Sequence, residues 1–411
     1  MASTAMAQDI AGDWQGTLKA GIDLRVIVHI EKAESGGWKA TLYSIDQGTE
    51  AIPVTSVTLQ GSTLKLGVDL IRGTYEGKVS ADGASIAGTW TQGLPLPLEL
   101  QRATKETAWQ RDASPHTVQF VTVDSSVKLE VLDWGGTGRP VVLLAGLGNT
   151  AHVFDKFAPK LISTHHVYGI TRRGFGASSV PASGYSADRL GDDVLAVIDS
   201  LKLDRPVLVG HSIAGEELSS IGTRHPEKIA GLIYLDAAYP YAYYDRTRGN
   251  LQIDRVELQK KLEQLQPGAS RHDREQAIQE LLQTSLPQLE KDLQESLKDL
   301  QTEPPEPQAG PNAPPPPQLP APARAIIDGE QKYTSIRGPI LAIYALPHTR
   351  PGQTEAAEAR DLETTGAQAK AFEAGEPSAH VVRLAHANHY VFESNEADVL
   401  REMNAFFASL R

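Results

Sequence analysis

The 411-residue chain contains no cysteine. That excludes disulfides, a thiolate nucleophile and a cysteine-ligated metal. No apolar run is long enough to cross a bilayer. Basic residues form no cluster, and 39 Lys and Arg stand against 51 Asp and Glu, a formal charge of -12. Such a balance repels phosphate backbones and anionic lipid surfaces, so neither nucleic acid nor a membrane surface is expected as a partner. What is present is an apolar content of 40%, enough for a real core, in a chain longer than one compact domain usually is. Ala5-Met6-Ala7 before Gln8-Asp9 reads as the small-x-small end of a signal peptide lacking its apolar part, or as a tag. The first reading predicts a secreted or periplasmic bacterial protein.

Residues 8–103 read as an all-β unit. Leu24, Val26, Val28 and Ile30 alternate with other side chains, as do Leu64, Leu66, Val68 and Leu70. Turn signals at Ser35-Gly36-Gly37, Gly61-Ser62 and Asp82-Gly83 separate about eight short runs, the spacing of a small barrel or curved sandwich. Gly12-Asp13-Trp14 resembles the Gly-x-Trp opening of lipocalin-like barrels, and Gly88-Thr89-Trp90 echoes it. The echo predicts strands that meet where the sheet closes, with both tryptophans as core plugs.

A polar linker spans 104–116, and an opening hairpin follows at Phe120–Val123 and Val127–Val131. Continuous apolar runs at Val141–Leu144, His166–Ile170, Pro206–Gly210 and Ala230–Leu235 then alternate with helical stretches at 187–201 and 213–224. This is the rhythm of a parallel sheet buried on both faces. It breaks over 239–337. Leu258, Leu262 and Leu265, and then Leu286, Leu289, Leu293, Leu297 and Leu300, recur at helical spacing and predict helices with one apolar face. A Pro-rich segment, 304–322, is expected to be extended. The sheet resumes at Pro339–Tyr344, followed by a helix near 354–374, a strand at Val381–Leu384 and a last helix over 396–410.

Chemistry concentrates at Gly210-His211-Ser212-Ile213-Ala214-Gly215, between a predicted strand and a predicted helix. A serine at the apex of a sharp strand–turn–helix is the signature of a nucleophile elbow. The turn tolerates only small residues two places either side of the serine, here Gly210 and Ala214, with Gly215 one residue further on.

On these motifs the chain from about 117 to 411 resembles the α/β-hydrolase superfamily of serine esterases. The resemblance implies a mostly parallel sheet with helices on both faces. The core would be 117–238 with 338–411, and 239–337 a helical cap. It implies Ser212 as nucleophile, and His389 as base because a small-x-His segment precedes the last helix; His386 is the rival. The family's usual acid position, after Tyr344, carries no carboxylate. Some members place the acid after the preceding strand, which points to Asp236 ahead of Glu355, Glu358 or Asp361. The backbone N–H groups of Leu147 and Ile213 would form the oxyanion hole. Gly146, His211 and Tyr239 would contact substrate, and Arg172-Arg173 would be structural. A serine rather than an aspartate at the elbow excludes the epoxide-hydrolase and haloalkane-dehalogenase branches. The expected activity is carboxylesterase-like, on a small-molecule ester, with no cofactor and no metal. Amide, lactone, thioester or carbon–carbon cleavage uses the same machinery. A protein of another class, binding a small apolar ligand in the β unit, is the remaining alternative.

Overall fold

The computed structural model describes residues 9–20, 23–33, 36–46, 51–92, 94–109, 115–265, 268, 270–302, 319–350 and 352–410. The signal-peptide or tag reading of 1–7, linker residues 110–114 and most of the Pro-rich segment lie outside them.

The first sheet is antiparallel. Its strands are β1 (Gly12–Lys19), β2 (Asp23–Lys32), β3 (Trp38–Ser44), β4 (Ile52–Pro53), β5 (Ser56–Gln60), β6 (Thr63–Val68), β7 (Gly73–Val79), β8 (Ser85–Gln92) and β9 (Leu94–Arg102). They are ordered β4-β3-β2-β1-β9-β8-β7-β6-β5. Two meanders, β1–β4 and β5–β9, are thus joined where the first strand meets the last, at Trp14 opposite Arg102 and Gln15 opposite Gln101. The result is a half-barrel whose free edges are β4 and β5. The period-two pattern sets its faces: in β7, Tyr75 and Val79 point inward between exposed Thr74, Glu76 and Lys78. Trp14 and Trp90 are both buried, as expected of core plugs. The Gly-x-Trp echo does not mark a closing pair, because β1 and β8 lie on opposite sides of β9.

The second sheet contains β10 (Thr117–Asp124), β11 (Val127–Gly135), β12 (Pro140–Leu144), β13 (His166–Ile170), β14 (Val207–His211), β15 (Gly231–Leu235), β16 (Ile340–Ala345) and β17 (Ala379–Leu384). Their order is β10-β11-β13-β12-β14-β15-β16-β17. The opening hairpin is antiparallel and the strands from β13 to β17 are parallel. The β14, β15 and β16 strands are buried at every residue, which is why they read as unbroken apolar runs. Helices α1 (Ala187–Ser200) and α2 (Gly215–Arg224) cover this sheet.

Between β15 and β16 the chain forms α3 (Leu251–Glu263), α4 (Arg271–Glu280), a π turn at Leu281–Ser285, α5 (Leu286–Thr302) and α6 (Ala321–Ile327). The leucine stripe forms an apolar face on α5 as expected, and Leu286, Leu293, Leu297 and Leu300 on it are exposed. The end of the Pro-rich segment differs from expectation. Pro322 sits in the first turn of α6, where its fixed φ and missing N–H cost nothing. The chain ends with α7 (Glu355–Gly375), α8 (Val391–Ser394) and α9 (Glu396–Ser409).

Candidate active site

The parallel strands deliver their C-terminal ends to one edge of the sheet, where ligand sites of open α/β sheets gather. Ser212 stands at the end of β14 with φ 54°, a left-handed conformation that a serine adopts only when its surroundings force it. The forcing is visible in the glycines. A Cβ on Gly210 would lie 2.9 Å from Leu218, and one on Gly215 would lie 2.0 Å from the Ala237 carbonyl oxygen. Gly215, rather than Ala214, therefore brings the elbow against the end of β15.

That end carries Asp236, also left-handed at φ 48° and fully buried. Its Oδ1 accepts from the Ala345 N–H at 3.0 Å and the Tyr239 hydroxyl at 2.9 Å. Its Oδ2 accepts from His389 Nδ1 and His348 Nε2, each at 2.7 Å. Burial alone would raise this carboxyl, but the two imidazoles overcome it and hold the pKa down to about 2. Asp236 is thus ionised, and the sequence expectation of an acid beside His389 finds it here. Glu355 and Glu358 are exposed on the first turn of α7, and His386 is exposed. Asp361 instead contacts His348, at 2.9 Å to Nδ1.

The Asp361–His348–Asp236–His389 chain was not evident from sequence. His348 occupies the stretch after β16 where a carboxylate is usual. It faces a carboxylate on each ring nitrogen, and these contacts outweigh burial and raise its pKa. His389, with 42% of its side chain exposed, commits Nδ1 to Asp236. That leaves Nε2 as the nitrogen able to serve a reacting group. Its ring lies 4.6 Å from that of His211, the residue before Ser212.

Two of the residues expected to meet substrate spend their polar atoms inside the protein. His211 is buried and donates from Nε2 to the His389 carbonyl at 2.9 Å. Tyr239 serves Asp236 as described. Gly146 lies beside the nucleophile: a Cβ there would lie 3.1 Å from the Ser212 Cβ. Leu147 follows it, and Ile213 occupies the first turn after β14, where backbone N–H groups have no helical acceptor.

The loop holding Gly146 and Leu147 is fixed from below. Arg172 donates from Nη2 to the Ala145 carbonyl at 2.8 Å, and from Nε to Glu217 at 2.5 Å, with both side chains buried. The structural reading of Arg172 thus becomes specific. By holding the loop's carbonyls, it turns the opposite side of the loop toward Ser212. Replacing Arg172 by Met leaves Glu217 buried without its cation, which costs about 3–5 kcal/mol. Urea unfolding is expected to show that loss, and a second change, Glu217→Gln, to restore much of it.

His211 gives a pH signature. Burial, then the neighbouring His389, push its pKa down to about 3. The unfolded chain takes up a proton near pH ~6.5, which the native state refuses until far lower pH. The native state therefore binds fewer protons. This contribution to stability is fully present above about pH 6.5 and is lost as pH falls toward 3, at up to ~1.4 kcal/mol per pH unit. Urea midpoints from pH 7 to 4 are expected to fall more steeply for wild type than for His211→Gln, which keeps the donor to His389.

Among the described residues, two groups have side chains that could ligate a cation: Asp236, His348 and His389, and a second set, His116, His152 and Asp155. In both, the carboxylate already accepts from the imidazoles; in the second, the contacts are 3.0 and 3.3 Å.

The alpha/beta hydrolase family model matches residues 141–402. A 2-hydroxymuconate semialdehyde hydrolase of Pseudomonas sp. strain CF600 is 29% identical over 107 residues, 25% of this chain and 38% of its own. A 2-(acetamidomethylene)succinate hydrolase of Mesorhizobium japonicum is 25% identical over 101 residues, 25% of this chain and 36% of its own. The chain spans about two fifths of the length of the curated relatives it matches. A solved enol-lactonase of Burkholderia xenovorans aligns over 71% of this chain and 100% of its own, with TM-score 0.42 and 18% identity. A family model covering well over half of the sequence, on a sheet of this order, establishes that the chain belongs to the alpha/beta hydrolase family.

Proposed function

We propose that the protein is a serine hydrolase of carboxylic esters, working through an acyl-enzyme. One observation carries the reading: a buried, ionised Asp236 accepts the Nδ1–H of a half-exposed His389 beside the left-handed elbow that bears Ser212. Asp236 fixes the tautomer in which His389 Nε2 is the acceptor. Nε2 then takes the Ser212 proton as Oγ attacks the ester carbonyl. The oxyanion is stabilised by the N–H groups of Leu147 and Ile213. The imidazolium protonates the departing alcohol. Water, deprotonated by His389, cleaves the acyl-enzyme, releases the acid and restores Ser212. In this reading the helical segment 239–337 is a cap over the site.

Hydrolysis of short p-nitrophenyl esters, with stoichiometric labelling of Ser212 by a fluorophosphonate, tests the proposal. Turnover with labelling at that residue supports it; the absence of both sinks it. A relative named as a 2-(acetamidomethylene)succinate hydrolase makes amide substrates a natural extension of the panel.

A further inference from the structure

A cavity of about 1120 Å³ lies between the half-barrel and the loops at the edge of the second sheet. One wall is the concave face of the half-barrel, including Leu24, Val26, Val28, Leu66, Trp90 and Leu100. The other is Gly148, Thr150 and Gly174-Phe175-Gly176, joined by Leu319–Pro322. Pockets for small molecules usually span about 300–1,000 Å³ and are mostly apolar, so this one suits a large apolar group. Charged and polar side chains collect at exposed positions of its lining: Asp69, Arg72, Gln92 and Arg324.

Only one loop separates this cavity from the nucleophile. Gly146 faces Ser212, with 3.1 Å from its would-be Cβ to the serine Cβ. Two residues on, Gly148 has φ +82° and lines the cavity, and a Cβ there would meet nothing within 4 Å. Phe175 lines the cavity too, and it packs with Leu147 and Tyr241 in the cluster around Ile213. The apolar wall is therefore continuous from the half-barrel to the residues flanking Ser212.

We infer that this cavity is the acyl-chain site of the hydrolase, holding the hydrocarbon tail of a long-chain carboxylic ester whose carbonyl lies at Ser212. The inference rests on the ester-hydrolase reading above. The acyl chain, not the alcohol, belongs there because the acyl group stays bonded to Ser212 after the first step and gains from a deep site. The alcohol must leave from the side of its proton donor, His389, which is open to solvent. The β unit then contributes directly to substrate selection instead of being an appendage.

The test uses the full chain and two variants that fill the cavity from half-buried wall positions, Leu96→Trp and Ile52→Trp, with thermal unfolding to verify the fold. Substrates are p-nitrophenyl acetate, laurate and palmitate. Each methylene buried is worth about fourfold in affinity, so wild-type kcat/KM is expected to rise steeply from acetate to laurate. Both variants should lose at least about tenfold on laurate and palmitate and keep acetate within about twofold. In Ser212→Ala, cis-parinaric acid is expected to bind and accept energy from tryptophan, and the filling substitutions on that background should abolish the signal. Should one variant fail to fold, the other decides. A folded variant with the wild-type chain-length profile, or no parinarate binding to Ser212→Ala, overturns the acyl site; turnover of acetate would then leave the hydrolase reading standing. Parinarate binding with no turnover of any ester overturns the hydrolase reading and the acyl-site assignment with it.

Discussion

Ser212→Ala is expected to lower kcat on p-nitrophenyl acetate by about four to six orders of magnitude, the loss typical when the nucleophile of such a constellation is removed. The substitution takes away Oγ and little else. Alanine occupies the same turn, and the close approaches that force φ 54° come from Gly210 and Gly215, which stay. Stability should therefore change by less than about 1 kcal/mol, so lost activity cannot be blamed on lost fold. The loops carrying Leu147 and Ile213 remain, and they should sustain a residue of catalysis about a thousandfold above water. A burst of p-nitrophenol in wild type, absent in the variant, would identify the acyl-enzyme directly. Rates within about tenfold of wild type would mean that another group attacks the carbonyl.

Asp236→Asn is expected to cost about 10⁴ in kcat, and it should also cost stability. Each carboxylate oxygen accepts two hydrogen bonds, from Ala345 and Tyr239 on one side and from His348 and His389 on the other. An asparagine must place its NH2 against one of these pairs of donors. Facing the imidazoles, it would turn His389 Nδ1 into an acceptor, move the ring proton to Nε2 and disable the base. Facing Ala345 and Tyr239, it would strand a buried N–H. The second orientation leaves a buried donor unpaired, at about 1–3 kcal/mol, and the first gives up the charge-assisted hydrogen bonds that the carboxylate accepted from both imidazoles. A pH–rate profile and urea unfolding measured together separate the effects. Loss of activity with full stability would show that the network around Asp236 is not needed for the fold.

Legibility in the sequence followed the range of the forces involved. The elbow was readable because strand, turn and helix impose their demands on adjacent residues, and Asp236 because a strand end is a local event. Even there, the decisive small residue proved to be Gly215, whose constraint comes from the Ala237 carbonyl in the loop just past β15. His348 and the Arg172–Glu217 pair could not be read. Each acts through a partner distant in sequence, and no periodicity or spacing connects Asp361 to His348 or Glu217 to Arg172. The half-barrel's strands were visible in the alternation, but the join between its two meanders was not, since pairing of β1 with β9 depends on how the meanders curve. The α5 stripe marks the reach of periodicity: the spacing of leucines signals an apolar face, as found, and not what covers it.

The pairing of first strand with last also sets a timetable. β1 finds β2 at once, along its whole length. Its other edge must wait for β9 to be made, an interval of several seconds at ribosomal rates on the order of 5–20 residues per second. During that time a growing chain displays an unpaired strand edge, of the kind that templates pairing between molecules. Synthesis speed and the presence of holding chaperones, more than the stability of the finished fold, should then govern how much of this protein a cell recovers in usable form.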